Sequence, residues 1–427
     1  MSKKVLVVGG VAGGASAAAR ARRLDESAEV IMFERGPHVS FSNCSLPFHL
    51  SGMVEDSDDL VMITPEEFKN KYNIDARTRN EVTEIKREEN KVSVKDLETG
   101  EEYEEEYDKL ILSPGANPIC PDSIEGVNRD NVFTVRNVVD ISNLKSYIEK
   151  NNIDDVAVIG AGYIGLEVAE NLHLDGKNVS LVEALPQVLQ PFDEDMAQIL
   201  HKEIYDKGIN LILDDALNKI DDGCIELSSG KKVDAEAVVM AIGVTPETEL
   251  AEDAGLELGE TGGIKVDHNY QTSDEDIYAV GDAIEVFCRM TKNKIRLPLA
   301  GPAQRQARAA ADHINGIPHT HNGVMGSSVV KVFDYNAAAT GLNEKTAKEA
   351  GIPYDIVYVI PGDKVGLMPD SNPLHFKLIY EYPTGRILGA QAVGKGEVDK
   401  RVDVIATMIH MGGTLEDLKE LELCYAP

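Results

Sequence analysis

Two copies of one device constrain this chain more than any other feature in it. Lys4 to Val8 is a short β-branched run ended by glycine, and Gly9-Gly10-Val11-Ala12-Gly13-Gly14 follows. Ala15 to Leu24 is alanine-rich and helical in pattern, and the next apolar run, Glu29 to Phe33, ends on Glu34. Glu34 stands twenty residues beyond Gly14. That is the spacing of a dinucleotide-binding βαβ unit, in which glycines admit a pyrophosphate to a helix N-terminus and an acid takes a ribose hydroxyl. Val11 replaces the usual middle glycine. About 150 residues on, Val156 to Ile159 leads into a full Gly160-Ala161-Gly162-Tyr163-Ile164-Gly165, a helix through Leu166 to Leu172, and a strand Val179 to Val182 ending on Glu183. One such motif is a weak signal; two with both acids in register imply one unit for FAD and one for a nicotinamide dinucleotide. An acid at Glu183 disfavours a 2′-phosphate, so NADH is expected, with NADPH as the alternative.

Other segments fit this order. Leu110 to Ala116 is a buried strand entering a tight turn at Ser113-Pro114-Gly115, and Val238 to Pro246 repeats that pattern around Gly243. Ile277 to Ala283 gives a strand ending in Gly281-Asp282, with Asp282 placed for a ribityl hydroxyl. After Asn322 the character changes to hairpin-like strands, Val329–Phe333, Tyr354–Val359, His375–Tyr380 and Ile387–Val393, then helices at 399–411 and 415–421. The expected fold is α/β, with two Rossmann-like dinucleotide-binding domains and a C-terminal α+β domain. Boundaries fall at 1–117 with 248–322 for a split FAD domain, 118–247 for the NAD(P)H domain, and 323–427 for the third.

Charge and cysteines narrow the function. A net charge of −31 argues against nucleic-acid or anionic-membrane binding, which need basic patches. No run approaches a membrane span, and the apolar run at the N-terminus is too short for a signal peptide, so a cytoplasmic protein is expected. The acidic run Glu101 to Glu106 reads as a solvated edge or hairpin. Five scattered cysteines form neither a CxxC pair nor a zinc-type cluster, so no metal site is expected.

Cys44 stands apart from the other four. It lies in Ser40-Phe41-Ser42-Asn43-Cys44-Ser45-Leu46-Pro47, a few residues after the first βαβ unit, where a flavin ring would lie. With no second cysteine near it, one sulfur must cycle between thiolate and a mixed disulfide, or between thiolate and sulfenic acid. Attack at neutral pH requires a lowered thiol pKa, supplied by a nearby helix start or by the flavin edge. The bland reading, an inert packed thiol, is outweighed by the double nucleotide architecture. Cys120, Cys224, Cys288 and Cys424 are expected to be structural.

These motifs, with Thr272 to Asp282 and Leu423-Cys424-Tyr425-Ala426-Pro427, resemble the pyridine nucleotide-disulfide oxidoreductase superfamily over essentially the full length. Within it the chain is similar to the single-cysteine branch of coenzyme A-disulfide reductases, coenzyme A-persulfide or polysulfide reductases, and NADH oxidases. The resemblance implies a homodimer whose C-terminal domains complete each other's active sites. It also implies catalytic roles for Cys44, Ser40, Asn43 and Tyr425. FAD contacts are implied at Gly9, Val11, Ala12, Gly14, Glu34, Arg35, Ser113, Pro114, Gly115, Gly281, Asp282, Pro298 and Ala300. Nicotinamide contacts are implied at Gly160, Gly162, Tyr163 (a gating ring), Ile164, Gly165, Glu167, Glu183 and Gly243. Arg20 and Arg23, which share a helix face, are implied to receive the phosphates of coenzyme A. A solvated helix face is the bland alternative for that pair, interface packing for Tyr425, and a lysine-paired helix residue for Glu167.

The chain departs from the branch in three places. Gly366-Leu367-Met368-Pro369-Asp370 stands where many members have Tyr-Tyr-Pro-Gly, Phe48 replaces a common tyrosine, and the chain stops at Pro427, where relatives continue. The last is read as truncation of the dimerisation domain, with a rhodanese domain following in some relatives. The expected activity is NAD(P)H-dependent, flavin-mediated reduction of coenzyme A disulfide, persulfide or polysulfide through Cys44. The alternatives are an oxidase or peroxidase using a Cys44 sulfenic acid, and a redox partner of another protein.

Overall fold

A computed structural model describes residues 3–318 and 323–424. The β-branched run Lys4–Val8 is the centre of a five-stranded, all-parallel sheet, flanked by Glu29–Glu34 and Asp75–Thr78 on one side and Lys109–Leu112 and Ile277–Ala279 on the other. Such strands are buried on both faces, which is why they read as unbroken apolar runs. Two helices cover one face. Ala12–Leu24 starts three residues earlier than its composition indicated, inside the glycine run, and packs along Ala300–Ile314. The contact is alanine on alanine, with Ala17, Ala18 and Ala21 buried on one helix and Ala303, Ala307 and Ala310 on the other. Small side chains let the two backbones approach closely.

A second parallel sheet is ordered Asn210–Ile212, Asn178–Val182, Asp155–Ile159, Ala237–Met240, Val132–Phe133. The chain enters and leaves this unit through a two-stranded antiparallel ribbon, Ala116–Pro118 against Val244–Pro246. The first unit is thus interrupted in sequence and completed by the strand Ile277–Ala279. At the ribbon Glu247 binds Arg35 at 2.6 Å and Arg136 at 2.8 Å.

The third unit is a five-stranded antiparallel sheet, ordered Ser328–Val332, Tyr335–Gly341, Ile387–Gly394, Leu374–Glu381, Tyr354–Val359, with helix Val398–Met411 laid on it. The strand Tyr335–Gly341 is absent from the sequence reading because its alanines mimic helix composition. The acidic run at 101–106 forms Glu102–Glu106, an outer strand of the three-stranded sheet with Asn80–Lys86 and Lys91–Asp96. Its carboxylates pair with Lys4, Arg77, Lys86 and Lys91.

One apolar core joins the second and third units to the cysteine segment. It contains Leu46, Leu50, Leu166, Val330, Val332, Ala337 and Val393. Two buried polar contacts cross the same junction. Lys377, 1 % exposed, reaches Asp193, Asp195 and Glu344. Glu170 accepts from the Phe333 amide at 2.6 Å and pairs with Lys331. A buried ammonium needs such partners to stay charged.

Candidate active site

The two glycine turns are built alike. Gly9 (φ +94°) and Gly160 (φ +99°) occupy backbone conformations open to glycine, and each sits under a later glycine of its own turn. A Cβ on Gly14 would lie 1.8 Å from the Gly9 carbonyl oxygen, and one on Gly165 would lie 1.8 Å from that of Gly160. The acids match too. Glu34 accepts from the amides of Gly10 (2.9 Å) and Gly36 (2.8 Å); Glu183 accepts from Ala161 (2.7 Å) and Leu185 (3.0 Å). Each turn thereby becomes a fixed cradle at the start of a helix, Ala12–Leu24 in one case and Tyr163–Leu174 in the other.

The residues of the first unit fit a flavin dinucleotide. Ser113 packs against the turn at Gly9 and Gly13 and beside Gly281. Gln306, buried, accepts from the Gly281 amide. Asp282 is largely enclosed, and among the described residues its carboxylate has no hydrogen-bond partner. Burial lifts its pKa to about 6. An enclosed carboxylate without a donor fits a ligand hydroxyl. Val11 and Ala12 open the helix, Pro114 and Gly115 form the turn after Lys109–Leu112, and Pro298 and Ala300 are exposed at the start of Ala300–Ile314. Arg35 is turned to Glu247 at the ribbon.

In the second unit a Cβ on Gly162 would meet nothing within 4 Å, so that side of the turn is open to a ligand. Ile164 and Gly243 are exposed beside it. Tyr163 is anchored by a 2.6 Å hydrogen bond between its hydroxyl and Ser328 Oγ of the third unit. A ring that gates the flavin must break this bond or move with it. Tyr163→Phe is expected to lower the thermal midpoint by the equivalent of about 1 kcal/mol, measured by calorimetry.

Cys44 lies in the first turn of a short 3-10 helix, Asn43–His49. Leu46 and Leu50 root that segment in the core, Lys145 donates to the His49 carbonyl, and Ser51 donates to Asn171 at 2.7 Å. Cys44 and Asn43 remain exposed at the open end. The expected lowering of the thiol pKa does not come from the protein chain. Partial desolvation of the sulfur and the nearby Glu167 carboxylate both raise it. Glu167 pairs with no lysine among the described residues; the nearby Lys331 takes Glu170. Burial, reinforced by Glu170, pushes its own pKa up to about 7. Its folded-state pKa therefore lies above that of the unfolded chain, so stability falls as pH rises from about 4.5 to about 7. Glu167→Gln is expected to flatten this slope in thermal melts across that window.

Ser40 has a positive φ of 49° and donates its amide to Gly10, which ties the cysteine segment to the first turn. It opens on a cavity of about 180 Å³ lined by Ala19, Arg23, Tyr72 and Arg308. Arg23 and Arg308 are exposed and form no ion pair among the described residues; Arg23 lies over the Tyr72 ring at 6.0 Å. Arg20 does not join them, because its Nε binds Asp312 at 2.7 Å. Tyr72 and Arg308 escaped the sequence reading. The signal available was the alanine-arginine texture of 303–311, the counterpart of 17–23. Tyr425 lies outside the described residues. No helix among the described residues is long and apolar enough to cross a membrane.

Comparison with known proteins identifies the family. The family model "Pyridine nucleotide-disulphide oxidoreductase" matches residues 3–307, and that family's dimerisation domain matches 327–427. The coenzyme A disulfide reductase of Staphylococcus epidermidis is 35% identical over 425 residues, 99% of this chain and 96% of the relative. The reduced CoADR-RHD of Bacillus anthracis superposes with a TM-score of 0.98 at 45% identity, covering 100% of this chain and 77% of that one. A NAD-dependent persulfide reductase from A. fulgidus gives 0.96 at 38%, covering 99% of this chain and 80% of that one. With its family model matched from the first glycine turn through the antiparallel C-terminal sheet, the chain belongs to the pyridine nucleotide-disulphide oxidoreductase family.

Proposed function

We propose that this protein is an NADH-dependent flavoprotein that reduces coenzyme A disulfide or a coenzyme A persulfide through Cys44. The observation that carries the substrate class is the cavity beside Ser40. Arg23 and Arg308, which have no carboxylate partner among the described residues, line it with the Tyr72 and Phe68 rings, in a chain whose net charge is −31. Unpaired cations on so acidic a protein mark a place for an anionic ligand, and arginine suits phosphate groups. A small oxidant such as oxygen or peroxide needs no such grip, which favours this reading over an oxidase.

Glu34, Ser113 and Asp282 would hold FAD, and Glu183 with the Gly160–Gly165 turn would hold NADH. FAD, when bound, relays an electron pair from nicotinamide to sulfur. The Cys44 thiolate attacks one sulfur of the substrate disulfide; a Cys44–S–S–R bond forms, the substrate S–S bond breaks, and one thiolate leaves. Reduction of the mixed disulfide by the relayed pair returns Cys44 as thiolate and releases the second thiol. The protein works as a dimer of soluble, cytoplasmic subunits.

Steady-state kinetics test the substrate class. Arg23→Ala and Arg308→Ala are each expected to raise KM for coenzyme A disulfide by about tenfold or more. Cystamine, which lacks phosphates, is expected to show no such rise. Equal effects on both disulfides would count against a phosphate site.

A further inference from the structure

Asn171 is 1 % exposed in helix Tyr163–Leu174, in a stretch whose other buried side chains include Leu166, Val168, Ala169 and Leu172. A buried amide is costly unless its polar atoms are bonded. Here Nδ2 donates to the Glu167 carbonyl at 2.8 Å, and Oδ1 accepts from the Ser51 hydroxyl at 2.7 Å. The first bond stays within the helix; the second crosses to the cysteine-bearing segment. The same hydroxyl lies 3.2 Å from the Phe48 carbonyl, at the C-terminal end of the 3-10 helix Asn43–His49. Lys145, on helix Val138–Asn151 of the same unit, donates to the His49 carbonyl at 2.8 Å, and a cation suits the carbonyl end of a helix. Both helices pack against Asn43–His49, whose Leu46 belongs with Leu50 to the core of the second and third units. The first unit holds the other end of the segment, where the Ser40 amide donates to the Gly10 carbonyl at 2.8 Å. Cys44 therefore lies where the chain passes from the first glycine turn to the helix that opens at the second.

Resting on the reading of Cys44 as the nucleophile, we propose that Asn171 is a positioning residue: through Ser51 it fastens the cysteine helix to the nucleotide-binding helix of the second unit, and so sets where the Cys44 sulfur stands. A fully bonded buried amide holds one arrangement against its alternatives, because any shift leaves a polar atom unpaired. Helix Tyr163–Leu174 then has two tasks. Its first turn follows the Gly160–Gly165 cradle, and its last turns locate the sulfur. Removing the bond leaves both dinucleotide cradles as they are, since Glu34 and Glu183 bind their turns without Asn171 or Ser51. It frees the cysteine helix to shift, and a displacement of about 1 Å at a reacting atom costs up to about 10²-fold in rate. Electron entry from the nicotinamide is thus separated from electron exit to the sulfur.

The test separates these two halves in the holoenzyme, comparing wild type with Asn171→Ala, Ser51→Ala and the double variant. Cys44 is first converted to a mixed disulfide with thionitrobenzoate, which needs no coenzyme A site, and NADH is then added. Stopped-flow reduction of the flavin is expected to stay within about twofold of wild type, while NADH-dependent release of the aromatic thiolate slows by about tenfold or more. The double variant is expected to be no slower than either single one, because both substitutions remove the same bond. Ser51→Thr, which keeps the hydroxyl, is expected to restore the wild-type release rate. Wild-type flavin reduction certifies the fold, and Ser51→Ala, at a half-buried position, removes the bond without opening a hole at the fully buried asparagine. Equal slowing of both halves, additive losses in the double variant, or a lowered thermal midpoint with neither rate changed would overturn the positioning role. A wild-type enzyme that releases the aromatic thiolate but is inert to coenzyme A disulfide would instead overturn the substrate reading, with the contrast between variants still deciding the role of Asn171.

Discussion

Cys44→Ser is expected to reduce turnover of coenzyme A disulfide by about 10⁴-fold or more, while NADH still reduces the bound flavin. The expectation follows from how the site is divided. The cradles for the two dinucleotides are the glycine turns with Glu34 and Glu183, and neither uses the sulfur. The four remaining cysteines are far from Cys44 in sequence, with Cys288 buried in the first unit and Cys224 on a strand of the second. None forms a disulfide, and the segment around Cys44 offers no second thiol to take over. Stopped-flow bleaching of the flavin next to steady-state disulfide reduction reads the two halves separately. Loss of both would mean that the serine disturbs the flavin site; retention of disulfide turnover would mean that another group is the nucleophile.

The second large effect is expected from paired alanine substitutions in the turns. In Gly14→Ala and in Gly165→Ala the new methyl group would sit 1.8 Å from a backbone carbonyl oxygen, far inside contact distance. No flexible side chain can yield there, so the turn itself must shift, at about 1–3 kcal/mol or more of strain. The consequences separate because the turns belong to different units. Gly14→Ala is expected to purify without its yellow cofactor. Gly165→Ala is expected to keep the flavin but to require about 10²-fold more NADH for half-maximal flavin reduction. Absorbance near the flavin maximum and NADH titration distinguish the two. If Gly165→Ala lost its flavin while Gly14→Ala kept it, the assignment of the two turns would be reversed.

Much of this architecture was legible because parallel strands buried on both faces leave contiguous apolar runs, and glycine turns with an acid downstream leave fixed spacings. The features that escaped have physical reasons. Tyr335–Gly341 is a strand with three consecutive alanines at its centre, and small residues suit it because helix Val398–Met411 packs on that part of the sheet. The pairing of Arg23 with Arg308 depends on two alanine-faced helices meeting nearly three hundred positions apart in sequence, which no local pattern announces. The same contact explains why Arg20 points elsewhere: on this helix pair it meets Asp312. The sign of the Cys44 shift was equally hidden. A helix start beside a cysteine reads as activating, whereas partial desolvation of the exposed Cys44 and the Glu167 carboxylate raise its thiol pKa.

That inversion bears on the chemistry. With the chain raising the thiol pKa, thiolate character at neutral pH is expected to come from the bound flavin or from the arriving substrate. The latter would restrict attack to disulfides seated in the arginine-lined cavity.

The most direct measurement is the mass of the Cys44 peptide after pre-reduced enzyme is mixed with one equivalent of coenzyme A disulfide and quenched in acid. The predicted result is a single coenzyme A joined to Cys44 and removed by added reductant. An unmodified Cys44 peptide, or one that has gained only oxygen, would contradict the mixed-disulfide cycle.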